Sequence, residues 1–286
     1  MNPTNSNSEG NSRSRAITRD HGDPRITRCF SRRPSLVAYI TCGDPDLATT
    51  EAIVLAAIDA GADVIELGVP FSDPVADGPV IQRASERAIK RGTSLQNVLQ
   101  VAGYIRQKSE AGLVIFTYLN PILRFGMERF CREAAQAGVD GVLVTDLTVE
   151  EADDYRRLMT MHGLAPIFLA APTSPDSRLK KIAQASGGFV YAVSRTGVTG
   201  TQKELAADAR DLVRRIRKFT QLPVAVGFGI SNASQFVQVG EFADAAAVGS
   251  AIVQAVEQNP GREAQAVADL VRLLKSGSKQ SDASRI

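Results

Sequence analysis

From Ser35 onward, short apolar runs alternate with longer stretches in which apolar residues recur every three to four positions. The short runs are Leu36–Ile40, Val64–Leu67, Leu113–Tyr118, Gly141–Val144, Ala165–Ala170, Gly188–Val193, Val224–Val226 and Ala245–Val248. They are rich in Val, Ile, Leu, Ala and Phe and show no polar alternation, as expected of strands buried on both faces. The intervening period predicts helices over Leu47–Ala60, Ile81–Arg91, Ser94–Ser109, Glu128–Ala137, Glu150–His162, Asp176–Ala185, Lys203–Thr220, Ala233–Val239, Ala251–Gln258 and Arg262–Lys275. Gly61 and Gly138 follow two of these helices and suit a left-handed C-terminal cap. Thr93-Ser94 and Ser231-Asn232 supply N-terminal caps.

Strands and helices alternating over ~250 residues predict an α/β fold, a single-domain (β/α)8 TIM barrel, more readily than a doubly wound sheet. A dinucleotide-binding sheet would place G-x-G-x-x-G after its first strand, where this chain reads ITCGDPD. The barrel is expected over residues 35–275. Residues 1–34, polar and rich in Ser, Asn and Arg at their start, read as a disordered or irregular tail. Residues 276–286 read as a flexible C-terminal tail.

Composition narrows the chemistry. The 33 Lys and Arg against 31 Asp and Glu give a net charge of +2, and Trp is absent, so neither a nucleic-acid surface nor a stacking platform is indicated. Cys29, Cys42 and Cys131 lack metal-ligand spacing and suit a reducing compartment. No apolar run approaches the ~18 residues of a membrane span. The first twenty residues lack the apolar core of a secretory signal, and a cytoplasmic protein is expected. The two histidines are the most restrictive fact. His21 lies in the tail, and His162 reads as a helix-end residue. A Ser-His-Asp triad or a histidine-built metal site is thereby disfavoured. Proton transfer falls to carboxylates, Lys or Tyr, and no metal is expected.

Barrel active sites lie at the C-terminal ends of the strands. Glu66, in VIELG, reaches that rim, where partial burial would raise its pKa toward the range useful for acid–base work. A capped or salt-bridged strand-end glutamate is the alternative. Asp73 and Asp77 follow in a loop stiffened by Pro70, Pro74 and Pro79, which suits a catalytic carboxylate that must hold its geometry. Asp77 could equally cap the helix that begins near Pro79. AVGFGIS at Ala225–Ser231 and AVGSAI at Ala247–Ile252 end the last two strands. There Gly229, Ser231, Gly249 and Ser250 read as a phosphate cradle or as simple caps. YAVSRTGVTGT at Tyr191–Thr201 has the polar, glycine-bracketed composition of a lid. Tyr191 places a phenol in the barrel mouth or in the core, and Arg195 reads as a surface cation.

Five segments together resemble the tryptophan synthase alpha chain family: AYITCGDPD at Ala38–Asp46, ELGVPFSDPVADGP at Glu66–Pro79, YLNPI at Tyr118–Ile122, SRTGVTG at Ser194–Gly200 and GFGIS at Gly227–Ser231. The resemblance runs in order from about Ser35 to Leu274. It implies retro-aldol cleavage of indole-3-glycerol phosphate to indole and glyceraldehyde 3-phosphate. Glu66 would be the catalytic acid and base, and Asp77 the carboxylate that holds the indole N–H. Tyr39, Phe71, Phe116, Leu143 and Tyr191 would surround the indole, and Gly200 would join Gly229, Ser231, Gly249 and Ser250 at the phosphate. The resemblance further implies an alpha2beta2 tetramer with a beta chain that carries pyridoxal phosphate. Asp73, Pro74, Tyr118 and Asn120 would then lie at that interface, and this chain would need no cofactor of its own.

Two positions depart from the family pattern: Thr148 stands where proline is usual, and the N-terminal tail is long and arginine-bearing. A lyase acting without a partner, a related phosphate-binding barrel enzyme and a non-catalytic regulatory subunit are the competing readings. The related barrel enzymes leave ELGVPFSDPVADGP followed by SRTGVTG unexplained. The regulatory reading predicts the loss of Glu66 or Asp77, and both are present.

Overall fold

The chain forms a parallel barrel in the computed structural model, which describes residues 24–193, 202–227 and 229–283. Its strands are β1 (Ser35–Thr41), β2 (Val64–Gly68), β3 (Gly112–Thr117), β4 (Gly141–Val144), β5 (Ala165–Ile167), β6 (Leu169–Ala170), β7 (Val190–Val193), β8 (Val224–Gly227) and β9 (Ala245–Val248). The order is β5-β4-β3-β2-β1-β9-β8-β7-β6, with every paired strand parallel. The run Ala165–Ala170, expected as one strand, is broken at Phe168. Its first half pairs with β4 and its second with β7, so the two halves act as one stave and join the ends of the sheet.

Alternation along the strands sorts side chains into two cores. Leu36, Ala38, Ile40, Ile65, Leu67, Leu113, Ile115, Val142 and Val144 pack outward against the helices. Val37, Val64, Val114, Leu143, Ile167, Phe189, Ala225, Ala245 and Ala247 point inward and fill the barrel. The inward set continues upward along each strand to Tyr39, Glu66, Phe116 and Tyr191, which places these four at the mouth.

The opposite end is closed by residues assigned to the tail from sequence. Pro24–Arg28 form a helix, and Ile26 and Phe30 are buried in the inner core, with the Phe30 and Phe189 rings 5.1 Å apart. A five-residue helix carries too little periodicity to stand out in the sequence. At the other terminus the helix Glu263–Ala283 continues past residue 275, where the flexible tail was expected to start. Gly277 permits this: a Cβ there would lie 2.8 Å from Val237, so the helix can approach Ala233–Gly240 closely.

A recurrent aspartate secures this end of the barrel. Asp63, Asp140 and Asp244 each immediately precede a strand or its first residue, and each accepts a backbone N–H from the neighbouring strand. The donors are Leu36 (2.7 Å), Leu113 (2.7 Å) and Val224 (2.8 Å). Each has cationic company: Lys275 for Asp63, Arg25 and Arg106 for Asp140, Arg33 and Arg217 for Asp244. These acids are therefore structural, which leaves the acids at the other rim for chemistry. The expected caps also form. Gly61 and Gly138 adopt φ of 113° and 75°, Ser94 forms a capping box with Asn97, and Asn232 caps its helix.

Candidate active site

Glu66 stands in the middle of β2, level with Tyr39 of β1 and Val114 of β3. It is 0% exposed, and neither carboxyl oxygen has a hydrogen-bond partner. A carboxylate stripped of water and given nothing in return favours its neutral form. Burial alone pushes its pKa up to about 8. The salt-bridged or capping glutamate is thus absent here, and what remains is a protonated acid at the barrel mouth.

Asp77 reaches the same region from the loop that follows β2. The helix Pro79–Lys90 takes Gly78, not Asp77, as its N-cap, and proline at its first position needs no capped N–H. The Asp77 carboxylate is therefore available for other work. Its Oδ2 accepts a hydrogen bond from Tyr118 Oη at 3.1 Å, and that same hydroxyl accepts the Ala76 N–H at 3.0 Å. The Phe71 ring packs 5.1 Å from Tyr118. Burial raises the Asp77 pKa to about 6 while the Tyr118 hydroxyl pulls it down. The two carboxyls thus differ: near neutral pH Asp77 is largely ionised and Glu66 largely protonated, the separation that acid–base pairs require.

Two phenols flank Glu66. The Tyr39 ring lies edge-on to Phe116 with centroids 5.1 Å apart, and it crosses β2 where Gly68 has no side chain. A Cβ on Gly68 would fall 2.3 Å from Tyr39 Oη. Tyr191 repeats the device on the other side, since a Cβ on Gly227 would fall 2.8 Å from its hydroxyl. Burial keeps both phenols protonated; Asp77 adds to the effect on Tyr39 and Glu66 to that on Tyr191. Tyr39 and Tyr191 therefore flank the glutamate, Phe116 packs on Tyr39, and Leu143 lies in the inner core against which Phe116 and Tyr191 pack. Phe71 packs on Tyr118 in the loop instead.

Gly249 N-caps the helix Ser250–Gln258 without any side-chain cap, which leaves the first backbone N–H groups open to an anion. Gly229, at φ 33°, and Ser231 lie at the end of the adjacent strand β8. The Ser231 N–H donates to Gln235 Oε1 at 2.8 Å, so Gln235 orders this loop, a role not visible in the sequence. Gly200 and the Ser194–Thr201 segment, with Arg195, lie outside the described residues.

Tyr118, expected at a partner interface, is 2% exposed and clamps the Asp77 loop from beneath. Asp73 and Asn120 are exposed, and Pro74 is half-buried. Val75, on the loop after β2, and Leu123, on the helix Leu119–Phe125, are 86% and 54% exposed. Thr148 adopts φ −78°, close to the angle a proline would impose, and Asp146 accepts the Leu119 N–H at 2.7 Å. The proline-to-threonine difference therefore leaves this loop held. Among the described residues no group of His, Cys, Asp and Glu could hold a metal ion, and no helix is long and apolar enough to cross a membrane.

Comparison with known proteins accords with this geometry. A family model described as tryptophan synthase alpha chain matches residues 28–282. The tryptophan synthase alpha chain of Solibacter usitatus is 52% identical over 237 residues, covering 82% of this chain and 89% of that protein. That of Neisseria meningitidis serogroup B is 48% identical over 242 residues, covering 84% and 93%. Among solved structures, tryptophan synthase subunit alpha from Legionella pneumophila superposes with a TM-score of 0.82 at 34% identity, covering 90% of this chain and 98% of that one. A chain of the tryptophan synthase complex from Pyrococcus furiosus gives 0.78 at 38% identity, covering 86% and 99%.

Proposed function

The chain belongs to the tryptophan synthase alpha chain family, and from that premise we propose that Glu66 and Asp77 carry out its reaction. That reaction is the cleavage of indole-3-glycerol phosphate to indole and glyceraldehyde 3-phosphate in tryptophan biosynthesis. The observation that carries the assignment is the fully buried Glu66 carboxyl, which has no hydrogen-bond partner and is pushed up to about 8 at the barrel mouth.

The chemistry follows from these protonation states. Protonated Glu66 delivers its proton to the indole C3, and positive charge develops at the ring nitrogen. Ionised Asp77 accepts the ring N–H and stabilises that charge. Glu66, now ionised in a dry site, removes the proton of the glycerol 3′-hydroxyl. The carbonyl forms, the C3–C3′ bond breaks, and its electron pair restores the indole. Glu66 finishes protonated, as it began. Tyr39, Phe116, Leu143 and Tyr191 form the apolar wall around the ring and exclude water. The phosphate is assigned to the open end of the helix Ser250–Gln258 with Gly229 and Ser231, and Gly200 is assigned beside it. Anchoring this remote, unreactive group fixes where the scissile bond lies.

Both proton transfers lie within the reach of carboxyl groups, so this reading gives the chain no cofactor and places pyridoxal phosphate in a beta chain. Asp73, Pro74 and Asn120, with exposed Val75 and Leu123, are assigned to docking that partner in an alpha2beta2 assembly, in the cytoplasm. Kinship to a chain of the Pyrococcus furiosus complex supports the assembly. Indole release from indole-3-glycerol phosphate, by the purified chain alone and with a beta chain, tests the reading. Turnover that rises on adding the beta chain is expected, and no indole from either sample would overturn it.

A further inference from the structure

Among the described residues, four buried side-chain atoms lack a hydrogen-bond partner: both oxygens of Glu66, Thr41 Oγ1 and Arg156 Nε. Three of the four belong to the paired strands β1 and β2. The Glu66 oxygens are accounted for by the reaction. Thr41 is not, and no role was assigned to it from sequence.

Thr41 ends β1 and is 2% exposed. By the alternation that turns Val37 and Tyr39 inward, its side chain also faces the barrel mouth. Its Cα pairs with Gly68, the residue whose missing side chain makes room for the Tyr39 hydroxyl. The two hydroxyls therefore share one level, just above Glu66. Of the charges acting on the Tyr39 phenol, Asp77 is the strongest and Glu66 the next, while a weak hydrogen bond with the Thr41 hydroxyl, outside ordinary geometry, works in the opposite direction. Thr41 thus borders the space between the two carboxyls. A buried hydroxyl whose nearest answer is this poorly aligned phenol recovers little of its lost hydration, whereas valine would fill the same volume without that cost. Such an atom at a reaction centre calls for a functional explanation.

Asp77 presents the complementary need. Among the described residues Tyr118 is its one side-chain donor, through Oδ2. The groups that face it are the Tyr118 phenol from the loop after β3, the Tyr39 phenol from β1 and, beyond that phenol, Glu66 from β2. We propose that Thr41 is a positioning residue whose hydroxyl donates to Asp77 Oδ1 when the Glu66–Pro79 segment settles over bound substrate. Tyr118 and Thr41 then hold one carboxylate oxygen each, which fixes the plane that must receive the indole N–H. The inference rests on the role given to Asp77.

Thr41→Val removes the hydroxyl at constant shape, and Thr41→Ser keeps it. Indole release by the full chain across pH 5–9, in otherwise wild-type and in Asp77→Asn protein, supplies the test. Thr41→Val should lower kcat about tenfold, the effect of one hydrogen bond to a charged group, with KM changed less than about twofold. Its thermal midpoint should hold or rise. Loss of a donor to the ionised carboxylate raises the pKa of Asp77, so the acidic limb of kcat should move to higher pH. Thr41→Ser should restore both readouts, and in the Asp77→Asn background Thr41→Val should cost nothing further. An unchanged kcat and pH profile in Thr41→Val would overturn the inference, as would an equal loss in the Asp77→Asn background. Wild-type turnover by Asp77→Asn itself would overturn the reading of Asp77, and this inference with it.

Discussion

Replacing Glu66 by Gln should make this protein more stable in alkaline solution even as it disables the site. In the folded chain burial moves the Glu66 pKa from an ordinary 4.5 to about 8. The native state therefore keeps a proton that the unfolded chain releases above pH 4.5. Stability is fully present below the unfolded pKa and is lost as pH rises through the folded one. At about 1.4 kcal/mol for each tenfold, the whole loss amounts to about 5 kcal/mol, of which about 4 falls between pH 5 and pH 9. Glu66 is 0% exposed, so solvent screening does not reduce this figure. Glutamine has nearly the same shape and does not titrate. Urea unfolding of both proteins at pH 5, 7 and 9, followed by circular dichroism, reads the difference. The gap between variant and wild type should shift by about 4 kcal/mol in favour of the variant from pH 5 to pH 9. A gap constant to within about 0.5 kcal/mol would refute the claim that the native state buries a protonated carboxyl here. The tension is the familiar one between a strained reactive group and a stable fold.

Further predictions concern the neighbours of Glu66. The kcat/KM profile should be bell-shaped: it falls below about pH 6 as Asp77 (about 6) takes up a proton and above about pH 8 as Glu66 (about 8) loses one. Asp77→Asn should remove most of the activity and the acidic limb together; a variant that retains that limb would assign it to another group. Tyr118→Phe deletes the one side-chain donor to Asp77 seen among the described residues. It should lower kcat/KM by about tenfold and move the acidic limb upward, while Leu123→Ala, exposed on the helix Leu119–Phe125 that follows Tyr118, should leave the profile in place. Arg87 forks onto buried Asp44 through Nε and Nη2, both at 2.8 Å. Arg87→Met should destabilise the fold by about 2 kcal/mol after allowance for the partial exposure of Arg87, read as a lowered urea midpoint.

Much of this was legible in the sequence because burial on both faces leaves a direct mark. Val64–Leu67 or Ala245–Val248 can scarcely be anything but interior strands, and Ala-Gly ahead of a strand announces its own cap. Glu66 was legible for the same reason, as a charge interrupting an apolar strand. What stayed hidden depends on contacts distant in the chain. The Tyr118 hydroxyl acquires its meaning only when the loop after β3 meets Ala76 and Asp77, some forty residues earlier. Gln235 looks like any helical glutamine until it accepts the Ser231 N–H. The break at Phe168 depends on each half of the stave choosing a different neighbour, which no local pattern encodes. The helix at Pro24–Arg28 escaped because its period is too short to read and its partners, such as Phe189, lie at the far end of the barrel. Thr41 shows a subtler limit: a threonine at a strand end is unremarkable until the structure buries its hydroxyl at the barrel mouth with no hydrogen bond of ordinary geometry.

The central claim is that one carboxyl, Glu66, performs both proton transfers of the cleavage while other groups bind the substrate. Single-turnover indole release from indole-3-glycerol phosphate by wild type and Glu66→Gln, paired with titration of glycerol 3-phosphate into each, tests it most directly. The account predicts that the variant releases no measurable indole and binds glycerol 3-phosphate within about threefold of wild type, a difference of about 0.7 kcal/mol. Indole release by Glu66→Gln at a rate near that of the wild type would contradict it.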